Sequence, residues 1–362
     1  MKIPTSLPTT ILLCLLAGGS KDCIAETSGS FVGASNPCYQ YLGSWHTNST
    51  GYYTIYPGSQ VRFCLKGKAR LVLQPGMPGT IRAAVRRNGD VVWDGFPDHE
   101  QLDLDGGTLS TPFTVLYLMT NKRGFDPARA EAKGAEFCFG GLILDHEAAV
   151  TPPPEPRNSI LLDFIGDSIT AGTVILGRSG SWSENSNVAL TYAFLLAERL
   201  QANYRIRGFP GIGCDEIASK VPFFRKSLPL PRDPRPDIVF VNIAANDREK
   251  QSNVYRGQMR NLLDVIFTTY PETHIVLLNF CRMTPNRLPV LQELASLYSS
   301  GKVVCFDARP YLVGYSDKGV HPDADSHNRL SEALAAYVKR TFLQELPVTT
   351  NTRQNPTQAR GQ

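Results

Sequence analysis

Residues 160–170 read ILLDFIGDSIT. The apolar run 160–165 is short, is bounded by Gly166, and has the pattern of a strand buried on both faces. Related runs follow at 237–243 (DIVFVNI), 274–280 (HIVLLNF) and 302–306 (KVVCF), with a shorter strand at 203–207. Helical periodicity fills the intervals. Over 188–201, Ala189, Tyr192, Ala193, Leu196 and Leu200 share one face, and 253–269 and 325–343 also read as helices. Strand alternating with helix predicts an α/β three-layer fold, a parallel sheet covered on both faces. Sites in such sheets form outside the carboxyl ends of the strands.

Upstream the character changes. Residues 31–150 hold short β-prone runs, among them 61–65 (VRFCL), 69–73 (ARLVL), 80–85 and 113–118, separated by Pro75-Gly76, Pro78-Gly79 and Asn88-Gly89-Asp90. This predicts an all-β sandwich or jelly roll. The proline-dense stretch 151–158, beginning TPPPEP, predicts a stiff linker. An α/β unit over 159–345 and a polar, disordered tail over 346–362 complete the expected organisation.

The 362 residues are 42% hydrophobic and 19% charged, a globular composition. The net charge of +4 is spread along the chain, which argues against a nucleic-acid partner. Lys2, the apolar run 11–17 (ILLCLLA) and the small-residue site at Cys23-Ile24-Ala25 predict a signal peptide over 1–25. The expected mature protein is secreted, with no membrane partner. Six cysteines then remain: Cys38, Cys64, Cys138, Cys214, Cys281 and Cys305. In an oxidising compartment an even count favours disulfides, with Cys281–Cys305 a candidate pair. No cysteine or histidine spacing suggests a metal. Asn48-Ser49-Thr50 is a glycosylation sequon, of consequence only in a eukaryotic host.

Four loops carry residues with chemical potential. Ser168 lies in a strand-to-helix turn, as a candidate nucleophile or, with Asp167, as a helix cap. Gly211, in Gly208-Phe209-Pro210-Gly211, lets backbone approach an oxyanion, or simply makes a tight turn. Asn246 can donate to an oxyanion, or cap a helix. His321, before the last helix, can serve as a general base if its strand neighbours that of Ser168, or is a solvated loop residue. Their order, each after a successive strand, distinguishes the set.

This order resembles the SGNH (GDSL-type) hydrolase superfamily. Gly166-Asp167-Ser168, Gly208-x-x-Gly211, Asn246-Asp247 and His321-Pro322 are similar to its blocks across 160–345. A finer resemblance is to carbohydrate esterase family two, whose members place a β jelly roll before the hydrolase and deacetylate xylan and related polysaccharides. Asp163, Glu184-Asn185, Thr191-Tyr192-Ala193 and Ala197-Glu198-Arg199-Leu200 are similar to segments of that family. Three positions depart. Ala244 replaces the glycine of G-x-N-D, Lys318 holds the place of the aspartate in D-x-x-H, and Val320 replaces a common tryptophan. Asp317, one residue early, orients His321, or a backbone carbonyl does so and leaves a dyad.

The resemblance implies a secreted serine esterase that removes acetyl groups from polysaccharide through an acyl-enzyme. Ser168 would be the nucleophile and His321 the base. The N–H groups of Ser168 and Gly211 and the amide of Asn246 would form the oxyanion hole, with no metal or organic cofactor. Trp45, Tyr52, Tyr53, Trp93 and Trp182 are candidates to stack on sugar rings, against ordinary packing duties. The competing readings are a sugar-binding protein on a hydrolase scaffold, an acyltransferase using the same residues, and a lipase-like esterase of small esters.

Overall fold

The computed structural model describes residues 29–48, 51–75, 81–97, 101–120, 136–154, 160–178, 180–226, 235–280, 286–298, 301–317 and 319–343. The expected signal peptide, the whole of the tail and residues 155–158 of the linker lie outside them.

The first twelve strands are β1 (Ser30–Gly33), β2 (Gln40–Leu42), β3 (His46–Asn48), β4 (Gly51–Thr54), β5 (Gln60–Lys66), β6 (Lys68–Pro75), β7 (Ile81–Arg87), β8 (Asp90–Gly95), β9 (Gln101–Asp105), β10 (Thr111–Thr120), β11 (Phe137–Leu144) and β12 (Ala149–Thr151). They form two antiparallel sheets, ordered β3-β4-β11-β6-β9 with β1 on β11, and β12-β5-β10-β7-β8 with β2 on β5. Alternate residues meet between the sheets: Phe63 and Tyr117 from one, Leu71, Phe137 and Phe139 from the other. Tyr117 and Phe137 stack at 5.4 Å. The outward residues of the second sheet are also covered. Ala84, Leu116 and Leu118 join the core of the α/β region. Burial on both faces explains why 115–119 (VLYLM) is continuously apolar rather than alternating.

The α/β region holds β13 (Leu161–Gly166), β14 (Asn203–Gly208), β15 (Ile238–Asn242), β16 (His274–Asn279) and β17 (Val303–Asp307), parallel and ordered β14-β13-β15-β16-β17. Its helices are α1 (Trp182–Asn185), α2 (Tyr192–Leu200), α3 (Cys214–Lys220), α4 (Ser252–Thr269), α5 (Leu288–Ser296) and α6 (Ala324–Thr341). Strand residues alternate between two cores. Leu162, Phe164, Phe240 and Val276 face α2 and α6. Ile165, Val239, Val241 and Ile275 face α3, α4 and α5. The segment expected as one helix over 188–201 is split. Asn187 caps a single turn at Val188–Leu190, and Thr191 then caps α2 by accepting from the Phe194 amide. Local side-chain capping won over continuous periodicity. Helices α1, α3 and α5, each of nine residues or fewer, had no expectation.

Asp163 is fully buried on the α3–α5 face of the sheet, paired with Arg207 at 2.5 Å and Arg205 at 3.2 Å. Arg207 also lies over the Phe224 ring and donates to the Phe224 carbonyl. Two arginines directed at one carboxylate, two residues apart on β14, keep all three charges paired where an unpaired one would be strongly destabilising.

Five cysteines, Cys38, Cys64, Cys138, Cys214 and Cys305, are free thiols, and Cys281 lies outside the described residues. The expected disulfide framework is therefore not formed among the described residues. Cys214 sits in the core between the sheet and α4 and Cys305 against the same core, packed as small apolar groups. Among the described residues, no helix is long and apolar enough to cross a membrane.

Candidate active site

Strand β13 ends in Gly166, where a Cβ would collide with the Thr170 hydroxyl. The chain therefore turns tightly, and Ser168 is left 6% exposed at the carboxyl edge of the sheet. The Thr173 amide donates to the Ser168 carbonyl at 3.0 Å and the Ala171 amide to that of Asp167 at 3.1 Å, closing the turn.

His321 Nε2 lies 2.9 Å from Ser168 Oγ, and its Nδ1 lies 2.5 Å from Asp317 Oδ2. The other carboxylate oxygen, Oδ1, accepts the amides of Val320 at 3.0 Å and His321 at 2.9 Å. A carboxylate facing Nδ1 fixes the tautomer that donates there and leaves Nε2 to accept the serine proton. Burial alone would raise the Asp317 carboxyl, but the hydrogen bonds from the His321 backbone and ring and the Val320 backbone outweigh it and hold it below the usual range. Asp317 thus meets His321 from four residues back. Gly319, at φ +90°, takes up the extra residue in a backbone region that favours glycine. Lys318 lies outside the described residues.

The condition set for His321, that its strand neighbour that of Ser168, is not met, yet the histidine reaches the serine. β13 and β17 are separated by β15 and β16. The histidine arrives over the face of the sheet. Helix α6 packs on α2, where Arg199 donates to Ser331 at 2.9 Å and to Asn328 at 2.7 Å, and this carries the 312–323 loop back to β13. At the head of α6, Asp323 caps the helix by accepting from the Ser326 amide. Its carboxylate is engaged there, so Asp323 does not orient the histidine.

The flanking loops stand beside Ser168 because Gly166 is in register with both Gly208 and Asn242. Gly211, at φ +84°, is exposed in the loop after β14. Asn246, after β15, donates one amide hydrogen to the Ile212 carbonyl at 2.8 Å. That bond aims the amide and leaves its second N–H available. Asp247 ties the two loops, accepting the Cys214 amide at 3.0 Å while pairing with Lys250 at 2.7 Å. Ala244 stands at φ −164°, outside the positive-φ region that favours glycine, with its methyl in the core. Its departure from glycine is therefore accommodated. Replacing Asn246 by alanine is expected to reduce turnover of a small acetyl ester by roughly 10²–10³-fold with little change in KM, as for loss of one oxyanion donor. Steady-state kinetics on folded variant would check this, and an unchanged turnover would remove Asn246 from the site.

Two buried titratable groups lie next to the site, Asp167, read in the sequence as a turn or cap residue, and His327, which carried no sequence signal. Burial pushes the Asp167 carboxyl up to about 7, against the hydrogen bonds from the Ile169 and Ala245 amides. Burial pulls His327 down to about 3. His327 Nδ1 accepts the Tyr192 amide at 3.1 Å, and its ring stacks on Tyr192. The signs oppose. The stability from neutral His327 is whole above its ordinary 6.5 and is lost as pH falls toward 3. That from neutral Asp167 is whole below 3.8 and is lost as pH rises toward 7. Between about pH 4 and about pH 6 the two offset. In His327→Asn, whose Oδ1 can still accept the Tyr192 amide, only the aspartate remains. Its unfolding free energy, relative to wild type, is expected to fall by about 1.4 kcal/mol per pH unit as pH rises through that window. Urea unfolding at several pH values measures this, and a constant offset would contradict neutral burial of His327.

The aromatic candidates divide. Trp45 is 1% exposed in the sandwich core and donates to the Leu42 carbonyl, so packing, not sugar contact, is its role. Tyr52 stacks on Tyr41 at 4.5 Å and Tyr53 on His46 at 5.3 Å. Trp93 and Trp182 are half-buried.

A serine, a histidine and an aspartate in hydrogen-bonded series, at the carboxyl edge of a three-layer α/β sheet, define a nucleophilic hydrolase. Residues 164–356, more than half of the chain, match the model of the GDSL-like Lipase/Acylhydrolase family. The chain belongs to that family and is a carboxylic ester hydrolase. Among solved structures, it is similar to a family two carbohydrate esterase from Cellvibrio japonicus (17% identity, TM-score 0.70, 87% of this chain and 98% of that one). It is also similar to the acetyl xylan esterase Est2A of Butyrivibrio proteoclasticus (17%, 0.69, 86% and 98%). A third is the family two carbohydrate esterase from Clostridium thermocellum in complex with cellohexaose (19%, 0.65, 83% and 98%). The shared fold includes the antiparallel β region as well as the parallel sheet. No curated protein sequence matches.

Proposed function

We propose that this protein is a secreted serine esterase that removes O-acetyl groups from a polysaccharide of the xylan or mannan type. In this reading Ser168 Oγ attacks the acetyl carbonyl while His321 Nε2 takes its proton. The resulting imidazolium is stabilised by Asp317, and the oxyanion accepts the N–H groups of Ser168 and Gly211 and the side-chain amide of Asn246. His321 then returns the proton to the leaving sugar hydroxyl. Water, deprotonated by the same histidine, releases acetate from the acyl-enzyme. The sandwich over 31–150 serves as a second domain beside the hydrolase domain over 159–345, joined by the linker at 151–158.

The observation that carries the chemistry is the series Asp317–His321–Ser168 at 2.5 and 2.9 Å. The polysaccharide substrate is supported by likeness of fold to carbohydrate esterases across both regions. The test is acetate release from acetylated xylan and glucomannan, beside 4-nitrophenyl acetate and butyrate. Release from polymer that depends on Ser168 is expected. Turnover of the small esters alone would discard the polysaccharide and keep the esterase.

A further inference from the structure

One side chain of the sandwich reaches directly into the frame of the candidate site. Arg82, Ala84 and Arg86 alternate on the outer face of β7, toward the hydrolase. Ala84 enters its core, and Arg86 lies over the Phe194 ring at 5.3 Å. Arg82 is held by Asp94 of β8 through two bonds, Nε to Oδ1 at 2.7 Å and Nη2 to Oδ2 at 2.8 Å. This bidentate grip aims the remaining nitrogen, Nη1, at the carbonyls of Glu184 at 3.0 Å and Ser186 at 3.3 Å. The Arg82 side chain itself is 13% exposed, while its partners Asp94 and Glu184 stand open to solvent.

The segment it grips is one half of a hydrogen-bonded pair of chains. The Val174 amide donates to Ser186 Oγ at 3.0 Å, that of Leu176 to the Asn185 carbonyl at 3.0 Å, and that of Arg178 to Asn185 Oδ1 at 2.7 Å. The Asn187 amide closes the pair on the Gly172 carbonyl at 3.0 Å. The other half, 172–178, has Ser168 at its start, through the Thr173 amide to the Ser168 carbonyl. Near its end, Gly177 lies against Ser316, where a Cβ would sit 3.2 Å from the Ser316 carbonyl oxygen. Ser316 in turn donates to the His321 carbonyl from its amide at 2.9 Å and its hydroxyl at 3.1 Å. A single stretch of backbone thus sets both the height of Ser168 and the backing of His321.

We propose that Arg82 is a positioning residue for the hydrolytic site. By clamping the Glu184 and Ser186 carbonyls, it fixes the paired segments 172–178 and 184–187 and with them the Ser168–His321 separation. The sandwich then contributes to turnover as well as to any sugar contact. This rests on the assignment of Ser168 and His321 above. It follows from the steep dependence of reaction on the placement of the reacting groups, where displacements near 1 Å change rates by about 10²-fold.

The test compares wild type, Arg82→Met and Arg82→Lys on 4-nitrophenyl acetate, with Ser168→Ala as a blank. Assays run well below the melting temperature of each variant. Arg82→Met is expected to lose roughly 10- to 100-fold in kcat with KM nearly unchanged. The rate of Ser168 labelling by a fluorophosphonate is expected to fall in parallel, and Arg82→Lys, which keeps charge and donors, to recover part of both. A lowered melting temperature with kcat and labelling rate intact would overturn the proposal and make Arg82 a brace between sheet and hydrolase only. Should Arg82→Met not fold, Asp94→Asn, which loosens the grip on Arg82 and leaves the arginine in place, is judged by the same two rates. A wild type without Ser168-dependent turnover would instead remove the assignment of the site, and the role of Arg82 with it.

Discussion

Ser168→Ala is expected to abolish ester turnover, with kcat lower by about 10⁶-fold, the scale on which serine hydrolases lose rate when the nucleophile is removed. His321→Ala is expected to match it, and the double variant to lose little more, because nucleophile and base act as one unit. The physical cause is the absence of any other activated oxygen at the position held by Ser168 Oγ, 2.9 Å from His321 Nε2. The substitution deletes one hydroxyl from a nearly buried side chain and leaves the turn's backbone bonds in place. Circular dichroism and melting temperature should therefore be close to wild type. Substantial activity in the purified variant would mean that the ester is cleaved elsewhere.

Asp317→Asn is expected to lower kcat by roughly 10⁴-fold at neutral pH, the scale seen when a triad carboxylate becomes an amide and the histidine takes the wrong tautomer. Here Asp317 Oδ2 faces His321 Nδ1 at 2.5 Å, while Oδ1 holds two backbone amides. In the variant, the amide oxygen is expected to keep the backbone amides, turning its NH₂ toward Nδ1. The ring must then accept at Nδ1 and carry its proton on Nε2, opposite the serine. Geometry would survive and proton abstraction would fail. The carboxylate is held below its usual range, so it stays ionised through mildly acid pH. Loss of wild-type activity at mildly acid pH should therefore not come from protonation of Asp317. A variant with near-normal kcat would place a backbone carbonyl, not Asp317, in the orienting role.

Much of this is legible in the sequence. Buried strands announce themselves when both faces are covered, so the runs at 160–165, 237–243 and 274–280 marked the parallel sheet directly. Gly166-Asp167-Ser168 and His321-Pro322 fell where a doubly covered sheet exposes its loops. The chain's path between them was not legible. The reach of His321 depends on α6 packing across α2, a long-range contact with no local signature. Nor could spacing show that a loop one residue longer still closes, since that turns on Gly319 adopting a positive φ. Cysteine parity misled because thiols such as Cys214 pack in the core as apolar groups. Trp45 took the packing role weighed against sugar contact, a choice left open because a tryptophan looks the same in sequence whether it packs or stacks on a sugar. Asp163, readable only as an acidic neighbour of the motif, proved to be the shared partner of Arg205 and Arg207. Arg82 carried no signal at all, because its partners are carbonyl groups about a hundred residues away.

The most direct measurement is the site of covalent capture. Wild type is treated with a fluorophosphonate while residual activity on 4-nitrophenyl acetate is followed, and the adduct is located by peptide mass spectrometry. The expected result is one adduct per chain, on Ser168, appearing in step with loss of activity and absent from His321→Ala. An adduct on another serine that tracks inactivation, or full activity in fully labelled protein, would contradict Ser168 as the nucleophile.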